Sequence, residues 1–206
     1  MMLEAMMMCV LSAGDWSQFR GPQSNGHAVG TVTPIEWSDT KNVAWKTSIP
    51  GLGWSSPVIA DGKAILTTAV PQGEGLSLRA IALDAKSGKV VWDREVRAIA
   101  KAPAIHRKNS HASPTPLVHD GAVFVHFGAQ GMARLAASDG SVKWTCTELE
   151  YLPQHGSGGS PILHDGKLVV VCDGRKDPFV AAVNAETGKV AWKRPRSVAA
   201  RVNFSF

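Results

Sequence analysis

The sequence has little helical apolar periodicity and few cysteines, the features typical of helical and of disulfide-rich proteins. No stretch beyond about residue 15 keeps a 3.6-residue apolar period, which argues against a helical fold. Only three residues are cysteine, and no two of them are adjacent or form a Cys-x-x-Cys pair. We expect Cys146 and Cys172 to be small buried apolar residues, and a disulfide between them stays open until their geometry is known.

Long apolar runs and nucleic-acid-binding tracts are also missing. The apolar stretch Met6–Ala13 is far shorter than the roughly 20 residues that span a bilayer, so we predict no transmembrane segment. The net charge is +5, but no basic run alternates with aromatic residues, so we expect no nucleic-acid partner. A composition of 44% hydrophobic and 19% charged residues predicts a folded chain rather than a disordered one.

Residues 1–14 resemble the end of a secretory signal, because a short apolar stretch leads to the small residues Ala13 and Gly14. Glu4 and the absence of a preceding Lys or Arg depart from that pattern. The segment predicts a periplasmic or otherwise extracytoplasmic protein. Lipid attachment at Cys9 is an alternative, although Met-Met-Met before it is a poor match to a lipoprotein signal.

Tryptophan recurs at a near-constant interval of 47 to 52 residues, at Trp45, Trp92, Trp144 and Trp192. Each of the last three follows a glycine by four residues, and these glycines are Gly88, Gly140 and Gly188. Self-similarity at this period is typical of proteins built from stacked repeats. The repeat therefore predicts the architecture more directly than any local pattern does.

A second phrase recurs in step with the first and places the turns. A Ser-Pro or Thr-Pro pair precedes an Asp-Gly pair in each unit, and Asp-Gly between apolar runs predicts a tight hairpin. Each unit then has four strands, which matches the blade of a β-propeller. We predict an all-β fold, a partial β-propeller of about three four-stranded antiparallel blades over residues 54–96, 113–147 and 158–194 within a domain spanning 15–206.

Two remaining segments do not make a full blade. Residues 42–46 resemble the last strand of a blade whose other strands are absent, and 202–206 resemble the start of a further one. Propellers close with roughly four to eight blades. We therefore expect this chain to be an N-terminal fragment whose partner includes its own missing C-terminal blades; a stable open arc is the alternative.

The repeat phrase resembles the pyrrolo-quinoline quinone (PQQ)-type propeller repeat. The matching residues run from Asp84 to Trp92 and from Asn184 to Trp192, and Trp16–Pro22 matches an opening phrase of bacterial PQQ-like propellers. The resemblance implies that the repeated tryptophans pack between blades. It also implies two functional classes, since the same repeat builds quinoprotein dehydrogenases and a lipoprotein of the outer-membrane assembly machinery.

The residues favour the non-catalytic class. A quinone-dependent dehydrogenase needs the quinone, a calcium ion held by oxygen ligands and a carboxylate base. The sequence has no acidic cluster in the loops that lead to the inner strands, and no adjacent cysteines. We expect a binding or scaffold module with no catalytic residue, no cofactor and an unidentified ligand or partner; PQQ with calcium belongs to the alternative, part of an alcohol or sugar dehydrogenase.

A candidate binding site lies on the longer, more variable loops of one face, where binding groups concentrate. Trp54, Asn109, His111 and His155 precede the first strands of successive blades, and we predict that they converge near the axis. Nearby glycines, Gly53 and Gly156 among them, would admit a ligand close to the backbone. The alternative is that both histidines hydrogen-bond between blades. His126, inside a strand, is expected to be a hydrogen-bonded core histidine, and no metal-ligand pattern is present.

Overall fold

Three four-stranded antiparallel sheets make up the computed structural model, which describes residues 14–28, 30 and 34–197. Blade 1 consists of β1 (Val58–Ala60), β2 (Lys63–Gln72), β3 (Gly75–Asp84) and β4 (Val90–Ile99). Blade 2 consists of β5 (Leu117–His119), β6 (Ala122–His126), β7 (Met132–Ala136) and β8 (Val142–Cys146). Blade 3 consists of β9 (Ile162–His164), β10 (Lys167–Cys172), β11 (Phe179–Asn184) and β12 (Val190–Pro195). The predicted all-β partial propeller is confirmed.

The Asp-Gly pairs form the hairpins that join the first and second strand of each blade. Asp61, Asp120 and Asp165 have φ angles of 48°, 45° and 47°, and the glycines that follow them lie at 67° to 69°. Two consecutive positive φ angles define the type I′ turn, whose twist matches that of the flanking strands. These turns therefore set the antiparallel pairing of the first two strands of each blade.

Consecutive blades are joined by a contact between a tryptophan of one blade and a glycine turn of the next. The indole Nε1–H donates to a backbone carbonyl of that turn at 3.0 to 3.1 Å, and the ring covers the glycine so closely that an added Cβ would lie 2.4 to 2.7 Å from it. The pairs are Trp45 on Gly88, Trp92 on Gly140 and Trp144 on Gly188. Trp92 and Trp144 thus pack between consecutive blades, and Trp45, which precedes blade 1, makes the same kind of contact with a turn of blade 1. Trp192, which no described repeat follows, is half-buried.

A hydroxyl at the start of each inner strand adds a second contact between blades. The backbone N–H of Ser56 donates to Oγ1 of Thr115, and the N–H of Thr115 donates to Oγ of Ser160, both at 3.0 Å. These are the residues that precede the repeated prolines. The sequence predicts only that these residues begin a hairpin. Their hydrogen-bond partners lie 59 and 45 residues away, and a contact over that separation has no local sequence pattern.

The core lies between the sheets. Blade 2 is covered on both faces, since Val123 and Val125 pack toward blade 1 and Phe124 packs toward blade 3. All five residues of β6 are buried as a result. Cys146 and Cys172 are buried free thiols, as expected, and burial raises the pKa of the Cys172 thiol to about 12.

The N-terminal part of the described chain lies along the inner strands. Trp16 forms an antiparallel bridge with Ile59, and the Ser17 carbonyl accepts a hydrogen bond from the N–H of Val118 at 2.8 Å. This segment thus contacts blades 1 and 2 together. The sequence did not predict the pairing, because nothing in residues 16 and 17 is specific to a strand.

Residues 42–46 do not form the isolated last strand that the sequence predicts. Trp45 makes the blade contact that its position predicts, but no described residue pairs with the segment as a strand. A strand needs the hydrogen bonds of a neighbour, and none of the described residues supplies them here. The signal-like residues 1–13 and residues 202–206 lie outside the described part of the chain.

Candidate functional site

Two loops form the part of the face where the site was predicted. Connector 1, residues 100–116, joins blades 1 and 2, and connector 2, residues 147–161, joins blades 2 and 3. They are held together at the His155 carbonyl, which accepts hydrogen bonds from the His106 N–H at 3.4 Å and from Nδ2 of Asn109 at 3.0 Å. The two imidazole rings pack edge to face, with centroids 5.0 Å apart. The loops therefore support each other.

Asn109 is the centre of this contact. Its Nδ2 also donates to the Ser157 carbonyl at 3.4 Å, while its Oδ1 accepts from the N–H of Ser110 and from the hydroxyl of Ser113. The amide thus has protein partners on both its nitrogen and its oxygen. Asn109 holds the two connectors in place, which is the structural role considered as an alternative for the histidines.

Gly156 and Gly53 lie where two parts of the chain pack closely against each other. A Cβ at Gly156 would lie 2.7 Å from Nδ2 of Asn109, and one at Gly53 would lie 2.5 Å from the Thr67 carbonyl oxygen. The expectation that these glycines admit a ligand is wrong for the space next to their Cα atoms. That space is filled by the protein's own chain.

His111 lies in a cleft between connector 1 and connector 2, which we call the His111 cleft. Its volume is about 320 Å³. The ring is half-buried, and this burial lowers the pKa of His111 below its usual value. At neutral pH the imidazole is therefore uncharged, with one nitrogen that donates and one that accepts a hydrogen bond. No partner for either nitrogen is found among the described residues.

The wall of the His111 cleft is apolar, and its rim is polar. Ile105, Phe127 and Tyr151 form the wall, while Gln154 and Arg175 lie among the polar lining residues. Tyr151 is nearly buried, its hydroxyl is hydrogen-bonded to Oγ of Ser157 at 2.8 Å, and burial raises its pKa. None of the residues that line this cleft is an aspartate or a glutamate.

Trp54 lies in a second cleft, the Trp54 cleft, whose volume is about 490 Å³. The backbone N–H of Trp54 donates to the Ala112 carbonyl at 3.1 Å, so its position is fixed by connector 1. Its side chain is 67% exposed, and Arg107 and Asn109 line the same cleft. No acidic side chain lines this cleft either.

The four predicted residues are therefore distributed over one face rather than gathered in one pocket. Asn109 and His155 are in contact, His111 lines one cleft, and Trp54 lines the other. The sequence missed Arg107 and Arg175, because neither belongs to a recognised motif. Their signal in the sequence is positive charge on the longer loops.

His126 departs from its prediction. It is fully buried, and its Nδ1 faces the Gly159 carbonyl at 3.4 Å, but its Nε2 has no hydrogen-bond partner. Burial lowers the pKa of His126 to about 4. His126 is thus a core residue, as expected, but only one of its two nitrogens is satisfied.

Within 14–28, 30 and 34–197, no three His, Cys, Asp or Glu side chains are grouped so that they could hold a metal ion. No helix in that part of the chain has the length and apolar character to cross a bilayer.

Comparison with known proteins agrees with this architecture. A family model described as outer membrane protein assembly factor BamB matches residues 37–204. Tetrathionate hydrolase from Acidithiobacillus ferrooxidans is 27% identical over 158 residues, which are 72% of this chain and 30% of that protein.

Solved structures share the fold at low identity. The quinohemoprotein alcohol dehydrogenase ADHIIG from Pseudomonas putida HK5 superposes with a TM-score of 0.53 and 23% identity over 73% of this chain and 22% of that chain. The europium-containing methanol dehydrogenase gives a TM-score of 0.54 and 15% identity over 76% and 27%. This chain spans less than a third of the length of each of these proteins.

Proposed function

We propose a non-catalytic binding or scaffold function for this chain, which belongs to the family of PQQ-repeat propellers whose model describes the outer membrane protein assembly factor BamB. The observation that carries the proposal is the face formed by connectors 1 and 2. Hydrogen bonds within the protein hold these loops in place, and they leave two open clefts beside them. Rigid loops that border preformed clefts favour binding, because little ordering is needed when a ligand arrives.

The lining of the clefts supports binding over catalysis. Proton abstraction from an alcohol needs a base, and the carboxylate that performs it in quinone chemistry has no counterpart in either cleft. His111 is the one titratable candidate base, and no nucleophile or carboxylate is hydrogen-bonded to its ring among the described residues. The predicted residues Trp54 and His111 act, in this proposal, as contacts for a ligand, while Asn109 and His155 position the loops.

The alternative function is part of a PQQ-dependent dehydrogenase. The solved structures with the same fold include alcohol and methanol dehydrogenases, and this observation favours it. The His111 cleft and the Trp54 cleft do not fit the quinone with calcium, because neither is lined by a carboxylate. Both described cysteines are buried within strands or at their ends. We therefore assign no step to that cofactor.

We also propose that the protein works outside the cytoplasm. Two observations support this: the signal-like sequence of residues 1–14, and membership of a family described by an outer-membrane assembly factor. A partner protein or a small molecule then reaches the connector face from the periplasm. Fusion of residues 1–14 to a periplasm-dependent reporter tests the location, and a reporter that stays in the cytoplasm would contradict it.

One experiment separates binding from quinone catalysis. The purified chain is mixed with PQQ and calcium, passed through a desalting column and assayed for the quinone absorbance and for dye-linked alcohol oxidation. We expect neither a retained quinone spectrum nor oxidation. A retained spectrum with oxidation would overturn the proposal in favour of the dehydrogenase.

A further inference from the structure

We propose that the His111 cleft binds a carboxylate that is attached to an apolar group. This inference rests on the proposed binding function and names the chemical class of its ligand. Four chain segments enclose the cleft: connector 1, connector 2, the loop between β10 and β11, and the loop between β6 and β7, which carries Phe127. The third segment is fixed to the second, since the N–H of Arg175 donates to the Leu152 carbonyl at 3.0 Å.

The close approach of these segments makes the rim rigid. A Cβ at Gly174 would lie 2.6 Å from the Leu152 carbonyl oxygen, so the loop that carries Arg175 packs directly against connector 2. Asn109 joins connector 2 to connector 1 on the other side of the cleft. The backbone positions of Arg175 and His111 are therefore set before a ligand binds.

Charge selects the ligand's head group. Arg175 carries the one permanent charge among the residues that line the cleft, and no carboxylate pairs with its guanidinium among the described residues. A guanidinium presents a planar pair of donors that matches a carboxylate. No acidic side chain in the lining repels an anion. The cleft is thus complementary to a negative group.

Uncharged hydrogen-bonding groups lie in the same lining. The His111 ring and the Gln154 amide have no hydrogen-bond partner among the described residues, so each has a free N–H donor. A carboxylate oxygen not used by Arg175 would accept from one of them. An alcohol or an amide would form hydrogen bonds with these groups but, being uncharged, would leave the positive charge of Arg175 without a counter-charge.

The apolar wall selects the remainder of the ligand. Ile105, Phe127 and Tyr151 face the space in which the ligand's carbon chain would lie. A volume of about 320 Å³ is at the small end of the range of ligand clefts, so an alkyl chain or one or two amino-acid side chains fill it. Two sources provide this chemistry: a free organic acid, and the C-terminal carboxylate of a peptide with an apolar last residue.

The probes are chosen to isolate the carboxylate and to distinguish its sources. Octanoate is compared with 1-octanol, which has the same chain without the charge. The N-acetylated tripeptide Ala-Ala-Leu with a free carboxylate is compared with the same acetylated peptide amidated at its C-terminus. Each charged probe therefore has an uncharged match of nearly equal apolar size.

The chain offers a reporter inside the cleft. Tyr151 is the single tyrosine of the sequence, so protein labelled with ¹³C in tyrosine rings gives NMR signals from one residue, which lines both the His111 cleft and a neighbouring cleft. Titration of the purified full chain with each probe gives a dissociation constant from the Tyr151 shifts. Arg175→Gln is the test variant, and Arg194→Gln, an exposed arginine of β12 outside the cleft, is its control.

We expect at least one carboxylate probe to bind about tenfold more tightly than its uncharged match, and Arg175→Gln to weaken it about tenfold, the effect of one charge-assisted hydrogen bond. Arg194→Gln should leave the affinity unchanged. Preference for octanoate identifies a free organic acid, and preference for the tripeptide identifies a chain terminus.

The proposal is overturned if neither carboxylate binds more tightly than its match, if Arg175→Gln leaves the affinity unchanged, or if Arg194→Gln weakens binding equally. Such a result overturns only the ligand class as long as the PQQ experiment remains negative. Retained quinone with alcohol oxidation, in contrast, overturns the binding function itself.

Discussion

Substitution of Gly140 by alanine tests the packing between blades 1 and 2. Gly140 has a φ angle of +72°, and an added Cβ would lie 2.7 Å from Cε3 of Trp92. It would also lie 2.7 Å from Cγ of Arg94, but that exposed side chain can move away. Trp92 is 4% exposed and hydrogen-bonded to the Ala137 carbonyl, so the ring cannot move without disturbing the core.

Two penalties contribute to the expected loss. A non-glycine residue in the left-handed region costs about 1–2 kcal/mol, and overpacking against a fixed ring costs about 1–3 kcal/mol. Gly140→Ala should therefore lower the free energy of unfolding by about 2–5 kcal/mol. Gly121→Ala is the matched control, because Gly121 has a φ angle of +69° and no atom within 4 Å of the added Cβ.

The assay is urea unfolding of the wild type and both variants, followed by tryptophan fluorescence and circular dichroism. Gly121→Ala should lose only the backbone penalty of about 1–2 kcal/mol. The difference between the two variants then measures the contact with Trp92. Equal losses in the two variants would refute the reasoning, because they would leave nothing to the tryptophan–glycine contact.

Three further predictions concern single side chains. The pKa of His126 falls from 6.5 in the unfolded chain to about 4 in the fold, so the folded state binds fewer protons than the unfolded state. The free energy of unfolding should therefore drop by about 2 kcal/mol between pH 7 and pH 5. His126→Gln should remove most of this pH dependence, as measured by urea unfolding. Thr115→Val leaves the Ser56 N–H without its acceptor and should cost about 1–3 kcal/mol by urea unfolding, whereas a loss as large in Thr115→Ser would contradict the assigned hydrogen bond. Asn109→Ala removes the bond to the His155 carbonyl, and amide hydrogen exchange in residues 154–158 should accelerate while that of β2 does not.

Features set by neighbouring residues in the sequence could be predicted. The three Asp-Gly pairs require positive φ angles, and this requirement places the hairpins whatever the rest of the chain does. The tryptophan repeat was equally informative, since a large ring at a constant interval must meet the same surface in each unit. The first strand of each blade begins four residues after the predicted start of that blade, and the last strand ends within three residues of the predicted end.

Features that depend on distant residues could not be predicted. The contact of Arg175 with connector 2 and the hydrogen bond from Ser56 to Thr115 join residues that are 23 and 59 positions apart. Trp54 and His111 line different clefts because the path of connector 1 between them is set by packing, and no local pattern encodes that path. The sequence thus grouped Trp54 and His111 in one site, whereas the structure places them in two clefts.

The contact that joins each blade to the next is that of Trp92 with Gly140 and of Trp144 with Gly188. A double-mutant cycle of Trp92→Ala and Gly140→Ala, measured by urea unfolding, tests it most directly. Trp92→Ala should cost about 3–5 kcal/mol, and in its absence Gly140→Ala should lose only the backbone penalty. The predicted coupling energy is therefore about 1–3 kcal/mol, and additivity within about 0.5 kcal/mol would contradict the account.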